Sequence, residues 1–158
     1  MFLGPNLPHA YLSGDCIECM ACSDNVVRAG LTPKLIDVPT LCEMLIYDCP
    51  DDGKVEDTFK FKAVADSDHS VVYDAPVPDF SVAKLVAPKG KSVKFPTRKS
   101  ASIVLVTDGE VGFYSVARKN DVKEAAVKKG LVLFLQAEDV LELKAEEKEE
   151  IEAYQAFC

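Results

Sequence analysis

The chain has 158 residues, 48% of them hydrophobic and 28% charged, which fits an ordinary globular protein with a core of its own. Its formal net charge of -8 makes nucleic acid and anionic lipid poor partners, because such a surface repels phosphates. No apolar run approaches a membrane span, and no basic segment followed by an apolar stretch opens the chain, so neither a membrane segment nor a signal peptide is predicted.

The amino end, Gly4-Pro5-Asn6-Leu7-Pro8, reads as a loop. Residues 9–13 then predict a short strand, Gly14-Asp15 a turn, and residues 16–22 the return strand. Residues 28–33 read as a further loop, with Gly30 and Pro33 opposing regular structure. Residues 37–48 predict a helix, with Thr40 and Glu43 at capping-box spacing, Pro39 in the first turn, and Leu41, Met44 and Leu45 on a buried face. Cys49-Pro50-Asp51-Asp52-Gly53 stops that helix and reads as a linker.

Strands dominate the rest. Phe59 and Phe61 alternate with Lys60 and Lys62, a half-buried strand pattern. The prolines of residues 73–80 predict a loop. Residues 81–87 and 92–95 predict short strands, and residues 100–106 and 111–116 flank Asp108-Gly109 as the clearest hairpin signal. Residues 131–135 read as a buried strand, and residues 140–143 and 151–157 as the last two. Residues 121–129 and 146–150 read as solvated connections, with a helical turn as the alternative in either. Many short strands separated by turns imply a sandwich or barrel.

The first hairpin carries the chemistry. If Gly14-Asp15 is a two-residue turn, Tyr11 lies opposite Glu18 and His9 opposite Met20, so these four side chains share one face. A one-residue slip would move Glu18 to the other face. An imidazole, a phenol and a carboxylate together suit proton transfer, although a surface histidine and an exposed strand charge fit the same spacing. The six cysteines stand at 16, 19, 22, 42, 49 and 158, and they read as reduced thiols in a cytoplasmic protein. Cys16, Cys19 and Cys22 recur every three residues, like half of a thiolate metal site. On a strand Cys19 points away from the other two, so the three cannot converge on one ion.

Residues 9–34, HAYLSGDCIECMACSDNVVRAGLTPK, resemble the second signature of the type I mannose-6-phosphate isomerases. The likeness continues through Asp37-Val38 and residues 40–45, and residues 73–80 resemble that family's YD-x-PVPDF stretch. The resemblance implies a mainly β, cupin or jelly-roll fold with one short helix after the first hairpin. Residues 1–48 would be the tail of a catalytic cupin domain, 49–54 a linker and 55–158 a carboxy-terminal jelly roll. It implies interconversion of mannose 6-phosphate and fructose 6-phosphate by zinc-assisted proton transfer through an enediolate, a reaction that supplies mannose units for glycosylation. By position, His9 resembles the last of four ligands to one zinc ion. Tyr11, Glu18, Asp24 and Arg28 resemble active-site residues, with Glu18 a candidate for proton transfer, and Lys34 is a candidate contact for the substrate phosphate. The family's other ligands, a Gln, a His and a Glu, come from segments not found in this sequence. His69, the only other histidine, matches no ligand position. The expectation is therefore a fragment of the enzyme, inactive alone. The alternative is a shortened cupin paralogue that binds a ligand or partner without catalysis.

Overall fold

A computed structural model describes residues 1–22, 26–47, 62–118 and 121–158. The chain divides into two compact units, Met1–Phe61 and Lys62–Cys158. The expected linker at 49–54, the expected strand around Phe59 and Phe61, and Asp24 lie outside the described residues.

In the first unit, helix α1 spans Val38–Met44. Asp37, not Thr40, is its N-cap. One carboxylate oxygen of Asp37 accepts from the Thr40 N–H at 3.2 Å and the other from the Thr40 hydroxyl at 2.8 Å. Thr40 is thus the third helical residue, which removes the expected capping box, while Pro39 does sit in the first turn. The helix also stops short of residue 48. Leu45 is extended, and the Ile46 N–H donates to the Asn6 carbonyl at 3.0 Å instead of continuing the ladder. No residue of α1 is fully buried; Leu41, Met44 and Leu45 are half-buried.

The hairpin expected at 9–22 forms no β-ladder, although the chain does reverse at Ser13-Gly14, where Gly14 has φ +113°. Two strands alone are marginal in water, and nearly every described side chain here is exposed, so no buried face repays a ladder.

The second unit is a sandwich of two antiparallel sheets. Ten strands are described: β1 Val64–Ser67, β2 Ser70–Asp74, β3 Ser81–Ala87, β4 Ser92–Lys94, β5 Ser102–Asp108, β6 Gly112–Arg118, β7 Asp121–Ala126, β8 Val132–Leu135, β9 Val140–Ala145 and β10 Ile151–Phe157. One sheet has the order β1-β2-β3-β10-β5-β8 and the other β4-β9-β6-β7. Side chains alternate along each strand, so Ala83, Leu85 and Ala87 of β3, Val104 and Val106 of β5, and Ile151 and Ala153 of β10 point inward. They share one core with Val93 of β4 and with Leu141, Leu143 and Ala145 of β9.

Strands β3 and β10 keep the boundaries that the sequence predicts. The segments flanking Asp108-Gly109 are strands but not a hairpin. β5 pairs with β10 and β8, whereas β6 pairs with β9 and β7, so the chain crosses between sheets at this point. Gly109, with φ +109°, turns the corner, and the Glu149 carboxylate accepts from the N–H groups of Glu110 and Val111. A glycine turn between alternating segments reads the same for a hairpin and for a sandwich corner. β8 is an end strand rather than a buried one: Leu133 and Leu135 face the core, but Val132 and Phe134 are 60% and 65% exposed. The solvated connection expected at 121–129 is in part a strand, β7, exposed along its whole length. The β1–β2 hairpin around Asp68-His69 was not legible, because that turn holds neither glycine nor proline.

Candidate active site

Three of the expected site residues meet. The Tyr11 hydroxyl donates to the Glu18 carboxylate at 2.8 Å, seven residues away across the reversal at Gly14. The His9 ring stands edge-on to the Tyr11 ring, with centroids 5.8 Å apart and an interplanar angle of 77°. His9 Nδ1 lies 3.0 Å from the Leu7 carbonyl oxygen. A proton on Nδ1 donated to that carbonyl leaves the Nε2 lone pair available.

The carboxylate acts on the phenol. Its hydrogen bond, with smaller contributions from partial burial and from the negative charges of Glu18 and Cys16, raises the Tyr11 pKa above that of a free phenol. Tyr11 therefore stays protonated at neutral pH and can donate, while Glu18 can accept. The cluster is open to solvent, with Tyr11 63% exposed. Met20, expected on the same face, is exposed.

Arg28 and Lys34 lie in the following loop, both exposed, and the described contacts do not bring them to the His9–Tyr11–Glu18 group. The Lys34 backbone N–H donates to the Thr32 hydroxyl at 3.2 Å. Among the described residues, no three His, Cys, Asp or Glu side chains are grouped as metal ligands. The thiolate site weighed for Cys16, Cys19 and Cys22 is thus not formed there.

A second polar cluster, in the other unit, was invisible in the sequence because its members lie far apart along the chain. Arg98 forks onto Asp66 at 3.1 and 2.6 Å, and its Nε donates to Gln155 at 3.1 Å. Gln155 in turn donates to Ser102 at 2.9 Å, Ser70 donates to Asp66 at 3.1 Å, and the Phe157 ring lies 4.2 Å from the guanidinium. Every polar group in it has a partner, so this cluster ties strands together.

Two facing antiparallel sheets with this strand order place the second unit among the cupin folds. Comparison with known proteins agrees. Residues 70–111 match the family described as phosphomannose isomerase type I C-terminal. The whole chain is 44% identical to mannose-6-phosphate isomerase of Macaca fascicularis and covers 36% of that protein. It is 41% identical, over 87% of its length, to mannose-6-phosphate isomerase 2 of Arabidopsis thaliana, of which it covers 29%. A point mutant of phosphomannose isomerase from Salmonella typhimurium superposes on 87% of the chain with a TM-score of 0.61 at 22% identity, covering 31% of the bacterial protein, a likeness of fold. The chain is thus similar, over its whole length, to the carboxy-terminal part of the type I mannose-6-phosphate isomerases. It spans about a third of the length of the curated relatives it matches, 36% for the macaque protein.

Proposed function

We propose that this chain forms the carboxy-terminal part of an isomerase that interconverts mannose 6-phosphate and fructose 6-phosphate. The observation that carries the reading is identity of 44% along the entire chain, including the segment that holds the Tyr11–Glu18 pair. Aldose–ketose isomerisation moves a proton between neighbouring carbons and between their oxygens. It needs a base, a donor and a cation for the developing oxyanion. Glu18 is the base or relay, and Tyr11 is the donor coupled to it at 2.8 Å. Arg28, exposed in its loop, offers a planar fork of N–H groups to an anionic oxygen. Lys34 contacts the substrate phosphate, and Asp24 joins the set as an active-site residue by its position in the family signature.

The cofactor is zinc, and His9 Nε2 would be its ligand from this chain. The described residues do not fit a zinc ion by themselves, since catalytic zinc takes three protein ligands and His9 is one. The remaining donors would come from outside them.

The test is a fusion in which this chain replaces the corresponding part of the macaque relative, assayed for fructose 6-phosphate formation. Glu18→Gln and Arg28→Lys should each lower kcat by roughly a hundredfold or more. Unchanged turnover in both variants would reject the assignment.

A further inference from the structure

His9 is exposed, so burial does not hold its ring, and its orientation must come from its nearest contacts. There are two. Nδ1 lies 3.0 Å from the Leu7 carbonyl oxygen, and the ring stands edge-on to Tyr11, which is itself tied to Glu18. The first contact decides which ring nitrogen carries the neutral proton. Whatever aims the Leu7 carbonyl therefore sets the chemistry that His9 can offer.

Three features aim it. Pro5 and Asn6 form a turn, with Asn6 at φ +63°. Proline followed by a residue of positive φ is what the two central positions of a type II turn require, and asparagine enters that region more readily than most residues with a side chain. The Asn6 carbonyl accepts from the Ile46 N–H at 3.0 Å, the amide that follows the C-cap of α1, so the turn is pinned to the chain leaving that helix. Leu7 then precedes Pro8, and a proline ring keeps the residue before it extended. The left-handed turn and the restricted Leu7 together fix the carbonyl before the chain reaches His9. Asn6 and Pro8 are both exposed, so neither stands there to fill a core.

We propose that Asn6 is a positioning residue for His9. Its left-handed backbone, pinned at Ile46 and followed by the extended Leu7, aims the Leu7 carbonyl at Nδ1, which keeps the neutral proton there and leaves the Nε2 lone pair available. What His9 does with Nε2 rests on the isomerase reading; the tautomer does not.

The experiment is nitrogen NMR of the 158-residue chain carrying His69→Gln, which leaves His9 as its single imidazole. Spectra are taken at about pH 8.5, where an ordinary imidazole is neutral. An uncommitted histidine in water keeps most of its neutral proton on Nε2, so an excess on Nδ1 is the signature of the Leu7 bond. The expected tautomer ratio is shifted toward Nδ1–H by roughly fivefold relative to the same chain unfolded in urea, the worth of one net hydrogen bond. Asn6→Gly, which reaches positive φ without strain, should keep that ratio. Asn6→Val, whose branched side chain opposes positive φ, should return it to the unfolded value. The Tyr11 titration, which reports the Glu18 bond, should match the parent in both variants. If Asn6→Val loses that signature as well, the unit has unfolded and Pro8→Ala decides instead. It frees Leu7 while keeping the turn, and it should lose most of the shift. A parent ratio equal to the unfolded one would overturn the proposal. So would loss of the shift in Asn6→Gly, or its full retention in the deciding variant. No activity is measured, so each of these outcomes leaves the isomerase reading to its own assay.

Discussion

A phenol that donates to a carboxylate resists ionisation, because losing its proton breaks the bond and sets two negative charges side by side. Glu18 does this to Tyr11. Glu18→Gln should therefore bring the Tyr11 transition down toward the ordinary phenol value, read as the difference in ultraviolet pH titration between parent and variant. An unchanged titration would mean that the pair does not form in solution. In the second unit, the Arg98 guanidinium holds the Asp66 carboxyl below the usual carboxylate range. The sign follows from linkage. A depressed folded-state pKa contributes stability above the unfolded value, near 4, and that contribution is lost as pH falls through the folded value. Asp66→Asn should cost about 2 kcal/mol in urea unfolding at pH 7, the range for a hydrogen bond to a charged group. The difference from the parent should shrink as the solution becomes more acid than the unfolded carboxyl value. A cost that stays constant with pH would assign the loss to packing rather than to the ion pair.

At the scale of elements, the corner from β5 to β6 leaves no room for a side chain at Gly112. A Cβ on Gly112 would lie 2.5 Å from the Lys144 carbonyl oxygen and 2.7 Å from Ile151 Cδ1, closer than side chains tolerate. The first of these neighbours is backbone, so Gly112→Ala must shift strand β9 or β6. We expect a loss of about 1–3 kcal/mol, as for overpacking, seen as a melting temperature several degrees lower. A melting temperature equal to the parent's would show that the corner yields. This corner also marks where reading the sequence stops working. Alternation in 81–87 and 151–157 sets both strand boundaries, because β3 buries Ala83, Leu85 and Ala87 and β10 buries Ile151, Ala153 and Gln155, every second residue in each. The same alternation in β5 and β6 cannot say which strand lies beside which, since pairing partners are chosen by the whole sandwich. β7 escaped notice because each of its side chains is exposed, which leaves no period to read. The N-cap fell to Asp37 because two acceptors three residues apart compete, and the Asp37 carboxylate reaches both groups of Thr40.

For the whole molecule, the site is legible to a different degree from the fold. Turn geometry alone places Tyr11 opposite Glu18, and the two side chains do meet. Nothing in the spacing reports where Arg28 and Lys34 point, because a loop has no period, and their roles rest on likeness to the enzyme family. The metal is the least legible part. At the candidate site one imidazole, His9 beside the Leu7 carbonyl, is on offer, and zinc needs more. The proposed function accordingly calls on donors beyond the described residues, and the chain matches about a third of the macaque relative, 36%.

The most direct measurement is a coupled assay for fructose 6-phosphate formation, with added zinc, run on the 158-residue chain alone and on its fusion to the remaining part of the macaque relative. The account predicts no turnover from the chain alone and turnover of about 1 per second or faster from the fusion, the range of ordinary enzymes. Turnover of that order from the chain alone, or a folded, zinc-loaded fusion with none, would contradict it.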